Sequence, residues 1–232
     1  MSNIKSVLFL GFPNFGEQDL FAAWELFRSL AWTLFQQGQQ LEVSIGSFKD
    51  GLIHTHMGAE VQSQKKLNPS DRFDVLYVPG GIGAGEASKD PVVLDFIRAH
   101  HKEGKWVAAN CAGVGVLYRA GVLNGLQITT PATLYRRLPA LGADVMSPRR
   151  AWKIDTEHKI FTSGGAATVH PSTIALVNEL FGEEAARGLA TAWDSLALHG
   201  EVLFDKQGPV MNDNPQSLPG LQDAFEKVFL PD

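Results

Sequence analysis

The chain is 232 residues long, 44% hydrophobic and 19% charged, with a net charge of −5 from 20 basic and 25 acidic residues. This describes a soluble globular protein, ample for one α/β domain and too short for two large ones. No basic tract offers a nucleic-acid footprint, no polybasic segment suggests a membrane surface, and no stretch is long enough to span a bilayer.

The elements follow in chain order. Residues 4–10, IKSVLFL, form a buried-strand run stopped by Gly11 and Pro13. Helical periodicity over 17–37 puts Leu20, Trp24, Phe27, Ala31 and Leu34 on one face, and Phe21, Leu30, Trp32 and Phe35 make the rest apolar too. A helix apolar nearly all round is sandwiched or meets a second subunit, so a dimer contact is expected near it. LEVSIGSF, 41–48, is a second strand, and 51–64 alternates weakly, as an excursion hairpin does. FDVLYVPGG, 73–81, is the strongest strand signal, and a helix runs from Pro91 to His101. KWVAAN, 105–110, is the next strand and 112–120 the next helix.

Further on come a short helix in TLYRRLPALG and strand-like pieces at 143–147 and 150–162, the second broken by DTEHK. A glycine turn then leads into the helix of VHPSTIALVNELFG, and another helix covers 183–199. The tail is loop laid over the surface before a last short helix. Alternating strands and helices predict a mostly parallel sheet covered by helices on both faces. With no repeats and no linker, residues 1–232 read as one domain with a C-terminal extension from about 203.

In an open α/β sheet, ligands bind beyond the carboxyl ends of the strands. Three such loops carry Glu17 and Asp19, then Gly80, Gly81 and Gly83, then Cys111. A thiol at a strand-to-helix turn sits at a helix N-terminus, where free amides and the dipole are expected to lower its pKa. The next residues must be small, and Ala112, Gly113 and Gly115 are. The arrangement resembles a nucleophile elbow without the literal Gly-x-Ser-x-Gly pattern. Gly81 and the amide of Ala112 are candidate donors to a developing oxyanion, with Gly80 beside them. Asp19 is the candidate proton carrier, although it also suits a helix cap; Glu17 and His170 are secondary candidates. An ionised carboxylate beside the sulfur raises the thiol pKa, so Asp19 aids a thiolate only when protonated, or serves by relaying protons.

GGIGAG lacks the Lys-Ser/Thr of a phosphate loop and misses the dinucleotide spacing. His54 and His56 do not read as a metal site, and His100, His101 and His158 read as solvent positions. The single cysteine excludes an intramolecular disulfide and a cysteine-based zinc cluster. No metal and no cofactor are expected, and a reducing cytoplasm is the expected location.

Five segments carry a resemblance: VLFLGFPNFGEQDLFAAWELF, FDVLYVPGGIGAG, VAANCAGVGVLYRAGVLNG, ITTPATLYRRLPALGADV and IFTSGGAATVHPSTIALVNELFG. In order and spacing the chain resembles the PfpI/ThiJ superfamily, DJ-type relatives of class I glutamine amidotransferases, over about residues 4–200. The resemblance implies a flavodoxin-like sandwich, a homodimer, Cys111 as the reactive elbow cysteine and Asp19 as its acidic partner. The nearest branch is the isonitrile-hydratase-like one. There the acidic residue is followed by Leu-Thr-Gly-Pro, whereas this chain reads Asp19-Leu20-Phe21-Ala22-Ala23.

Other departures bear on function. Ala112 stands where the protease-like branch has histidine and hydratase-like members have threonine, which argues against a peptidase. Pro131 stands where many relatives have the histidine of Thr-Thr-His. The expected function is a small-molecule hydratase or lyase, with Cys111 attacking an electrophilic carbon of the isonitrile or 2-oxoaldehyde class. The alternative is a cysteine-based oxidative-stress sensor or protective protein without a fixed substrate.

Overall fold

The computed structural model describes residues 3–195 and 205–229. Its strands are β1 (Ser6–Leu10), β2 (Glu42–Ser47), the hairpin β3 (Leu52–His54) and β4 (Glu60–Gln62), β5 (Lys65–Lys66), β6 (Val75–Val78), β7 (Trp106–Asn110), β8 (Gln127–Ile128), β9 (Asp144–Val145), β10 (Trp152–Asp155) and β11 (Ile160–Ser163). The helices are α1 (Glu17–Gln36), α2 (Ala84–Ala87), α3 (Pro91–Lys102), α4 (Gly113–Ala120), α5 (Arg137–Ala140), α6 (Val169–Phe181), α7 (Glu183–Ala192) and α8 (Leu218–Phe229).

The main sheet has the order β10-β11-β7-β6-β1-β2-β5, with β10 antiparallel at one edge and every other pairing parallel. The chain leaves β1 toward β2 and returns to β6 on β1's other side, which places a topological switch point between β1 and β6. The central strands are continuous apolar runs because both faces are covered: α1, α6 and α7 pack together on one face, and α2, α3, α4 and α8 on the other. An aromatic row lines the first face, with Phe9 between Phe27 at 5.9 Å and Tyr77 at 4.9 Å, and Phe161 at 6.4 Å from Tyr77. This is the flavodoxin-like sandwich expected.

Several expectations need correction. The inward stripe of α1 is Leu20, Ala23, Leu26, Phe27 and Leu30, while Trp32 and Phe35 are 67% and 65% exposed. The all-round apolar pattern had hidden which residues turn to the sheet. His100 is fully buried, not a solvent position. Its Nδ1 pairs with the Phe96 carbonyl at 2.8 Å and its Nε2 accepts from the Phe73 amide at 3.1 Å. Burial, ahead of the positive charges of Arg72 and Lys105, pushes its pKa down to about 4. His101 is half-buried and His158 exposed.

The helix expected in TLYRRLPALG divides into a 3-10 turn, Ala132–Leu134, and α5, since Pro139 has no amide to donate. The helix expected over 183–199 ends at Ala192; its remainder from 196 and the boundary near 203 lie outside the described residues. The tail is tied down. Arg150 and Lys153 bridge Val210 and Gln207 in antiparallel fashion, and buried Arg149 pairs with Asp213 while donating to the Thr130 carbonyl at 3.2 Å. Gly208 lies so close to Trp152 that an added Cβ would fall 2.5 Å from the indole.

Candidate active site

Cys111 directly follows β7 in a left-handed conformation, φ +49°, one that a residue with a side chain rarely adopts. Its amide donates to the carbonyls of Ser163 and Gly164, at 3.2 and 2.8 Å, and its carbonyl accepts from Val114 as α4 begins. The surrounding ladder thus holds the residue in a strained elbow. Gly113 must be a glycine, because a Cβ there would lie 2.3 Å from the Val78 carbonyl. That close approach brings the start of α4 against the end of β6.

Asp19 reaches this elbow from the first turn of α1. It is 4% exposed and does not cap its helix, whose N-cap is Gly16 with no side-chain bond. Its carboxyl group hydrogen-bonds to Cys111, and its Oδ1 accepts from Asn110 Nδ2 at 3.0 Å. Gly80 separates the partners without filling the gap: a Cβ there would lie 2.5 Å from Cys111 Cβ and 2.7 Å from Asp19 Oδ2. The backbone amides of Ala112 and Gly81 point at the sulfur.

The electrostatics of this pair overturn one expectation. Burial, and then the Asp19 carboxylate, hold the Cys111 thiol well above the usual range, despite the amides of Ala112 and Gly81. The amides at the helix N-terminus lower the thiol pKa, but burial and then the Asp19 carboxylate outweigh them. Asp19 is itself pushed up to about 6, by burial first and by nearby Glu17, against the hydrogen bonds from Cys111 and Asn110. The two groups titrate as a unit that, near neutral pH, carries one negative charge and one shared proton.

Glu17 points elsewhere. It accepts from the Thr55 hydroxyl and from the Met57 amide at 2.7 Å, so it anchors the β3–β4 hairpin. Burial raises its pKa, but those hydrogen bonds outweigh the effect and leave it below the usual value. His170 is half-buried on α6, its ring edge-on to Trp193 at 5.7 Å, and is not among the groups acting on the sulfur. His54 pairs with Glu60 at the exposed end of the hairpin. Among the described residues no three His, Cys, Asp or Glu side chains gather where they could hold a metal ion, and no helix is long and apolar enough to cross a membrane.

The glycines of GGIGAG serve close packing. Gly81, φ +96°, leaves no room for a side chain beside the Gly16 amide, nor Gly83 beside the Pro13 carbonyl. Gly16 donates to the Gly80 carbonyl and Gly83 to the Asn14 carbonyl, so the loops after β1 and β6 are stitched together. A cavity of about 430 Å³ opens beside them, lined by Phe12, Asn14, Lys49, Gly83 and Asp90 among others, but Cys111 does not line it. Sequence reasoning missed Asn110 and Arg149. The signal for Asn110 was a carboxamide closing an otherwise apolar buried strand, WVAAN.

The chain is similar to several known proteins. Isonitrile hydratase of Pseudomonas putida is 29% identical over 173 residues, covering 68% of this chain and 74% of that protein. Protein dj-1beta of Drosophila melanogaster is 29% identical over 130 residues, 54% of this chain and 67% of that one. The glutathione-independent glyoxalase DJR-1.2 of Caenorhabditis elegans is 25% identical over 117 residues, 50% of this chain and 60% of that one. Among solved structures, a ThiJ/PfpI family protein from Pseudomonas syringae superposes with a TM-score of 0.76 at 18% identity, over 98% of this chain and 88% of that one. The sequence profile of the DJ-1/PfpI family matches residues 5–179, three quarters of the molecule, and the chain belongs to that family.

Proposed function

We propose that the protein is a cysteine-dependent enzyme that hydrates a small electrophilic carbon, of the isonitrile or 2-oxoaldehyde class. The observation that carries this reading is the contact between the Asp19 carboxyl and the Cys111 thiol, with the amides of Gly81 and Ala112 aimed at the same sulfur. A carboxylate with a pKa near 6 is a competent base for a thiol at neutral pH. As the sulfur attacks an isonitrile carbon, Asp19 takes the thiol proton and delivers it to that carbon, giving a thioimidate. Water then adds to the same carbon, the C–S bond breaks, and the products are an N-substituted formamide and the free thiol. With a 2-oxoaldehyde, attack on the aldehyde gives a hemithioacetal. Its C1 proton moves to C2 by way of Asp19, and water cleaves the resulting thioester to a 2-hydroxy acid. Likeness to an isonitrile hydratase and a glyoxalase supports these two classes.

The test is steady-state turnover of both substrate classes by the wild type and by Cys111→Ala, with the fold checked by circular dichroism. Turnover of one class by the wild type, and its loss in the variant, is the expected result. Turnover that persists without the thiol sinks the mechanism.

A second reading shares the site. The amides of Gly81 and Ala112 suit the oxygens of a sulfinate on Cys111, which favours an oxidative-stress sensor. Mass spectrometry after mild peroxide distinguishes it: two added oxygens on Cys111 support a sensor, and an unmodified thiol removes it. The exposed Trp32 and Phe35 on α1 support a homodimer contact in the cytoplasm-located protein we envisage. Sedimentation of Trp32→Glu tests the contact, a shift to monomer being expected.

A further inference from the structure

We propose that Asn110 is a positioning residue that keeps the Asp19 carboxyl proton on Oδ2, the oxygen beside Cys111. The inference rests on the pairing of Asp19 with Cys111, but not on the identity of any substrate.

Asn110 is fully buried at the last position of β7, next in sequence to the elbow. An asparagine at a strand end commonly serves a nearby turn. Here its Nδ2 crosses to Asp19 Oδ1 at 3.0 Å, 91 residues away in the chain. A carboxamide nitrogen only donates, so the oxygen that accepts from it must present a lone pair. While this bond holds, Oδ1 cannot donate to Asn110. Because the carbonyl oxygen of a protonated carboxyl is a better acceptor than its hydroxyl, this bond favours the proton of Asp19 on Oδ2.

Oδ2 is the oxygen that faces the chemistry. A Cβ built on Gly80 falls 2.7 Å from Oδ2 and 2.5 Å from Cys111 Cβ, so the two flank the same glycine. The opposite amide orientation would need the acid proton on Oδ1, turned away from the sulfur, and would set two acceptor oxygens against each other whenever Asp19 is ionised. The charged or titratable groups that act on Asp19 are Glu17 from its own helix, Cys111 from the elbow and Tyr77 from β6. On α6 the side chain facing Tyr77 is Thr173, which carries no charge. No cation among these groups orients the carboxyl, which leaves the task to Asn110. A proton taken from the thiol then returns to the reacting carbon from the same oxygen, without carboxyl rotation.

Two measurements test this. In a neutron structure of the wild type in deuterated buffer near pD 5, the deuteron is expected on Asp19 Oδ2; a deuteron on Oδ1 overturns the proposal. In solution, the rate of Cys111 alkylation by iodoacetamide is followed against pH. The wild-type rate should rise as Asp19 ionises, and Asn110→Leu should move that midpoint upward by about one pH unit, since the carboxylate loses a charge-assisted donor. An unmoved or lowered midpoint overturns the proposal. If the wild type shows no such limb while the neutron structure places the deuteron on Oδ2, the base role of Asp19 fails and the positioning role stands.

Discussion

Asp19 and Cys111 meet across Gly80, the carboxyl from the first turn of α1 and the thiol from the end of β7, in a gap that one methyl group would fill. The contact is possible only because β1 and β6 are neighbours at the switch point and β7 follows β6 in the sheet. The topology thus brings a carboxyl and a thiol together from positions 92 residues apart in the numbering.

Gly80→Ala tests that gap. No left-handed conformation is required at Gly80, so alanine adds no torsional strain of its own. Its Cβ must instead push the carboxyl and thiol apart. Turnover should fall on the order of 100-fold with the fold retained, because a shift of about 1 Å between reacting groups costs that much. Enzyme kinetics and circular dichroism on the one variant check it.

Asp19→Asn should trade activity for stability. The folded pKa of about 6 lies above the ordinary 3.8, so the fold favours the protonated acid. That contribution is fully present below the ordinary value and is lost as pH rises through the folded one. Above about pH 6 the neutral, isosteric asparagine should therefore be more stable than wild type, by on the order of 3 kcal/mol, and near pH 4 the two should converge. Urea denaturation at the two pH values measures this.

Cys111→Gly should be more stable than Cys111→Ala. Both remove the sulfur, but only glycine adopts φ +49° without steric cost. The difference expected is about 1 kcal/mol in favour of glycine. Thermal melts of the pair read it directly, and equal stabilities would show that the elbow is unstrained.

Glu17→Gln should separate the two acidic residues of α1. It loses the charge that receives Thr55 and Met57, so the hairpin should loosen, seen as faster amide exchange over residues 52–62. Turnover should survive. The acidic limb of its pH profile should move slightly downward, because Glu17 helps to hold the Asp19 pKa up.

Much of this was legible in the sequence because it rests on local patterns. The apolar runs ending at Leu10, Val78 and Asn110 marked strands buried on both faces, and the small residues after Cys111 marked the elbow. The choice of Asp19 over Glu17 was not local. It depends on which side of the first turn of α1 faces the sheet and which meets the β3–β4 hairpin. The sequence shows both the helix terminus that lowers the thiol pKa and the carboxylate that raises it, but not the balance: burial, followed by the Asp19 carboxylate from another element, outweighs the amides. His100 read as a solvent position, and Asn110 as strand alone, because their partners, Phe73 and Asp19, lie 27 and 91 residues away.

The central claim is that the Asp19 carboxylate acts as base for the Cys111 thiol. Its most direct test is the pH dependence of Cys111 alkylation by iodoacetamide in wild type and in Asp19→Asn. The wild-type rate should rise with a midpoint near the Asp19 pKa of about 6. In Asp19→Asn that limb should vanish, leaving reactivity only where the thiol ionises unaided. The same limb in both proteins would contradict the account.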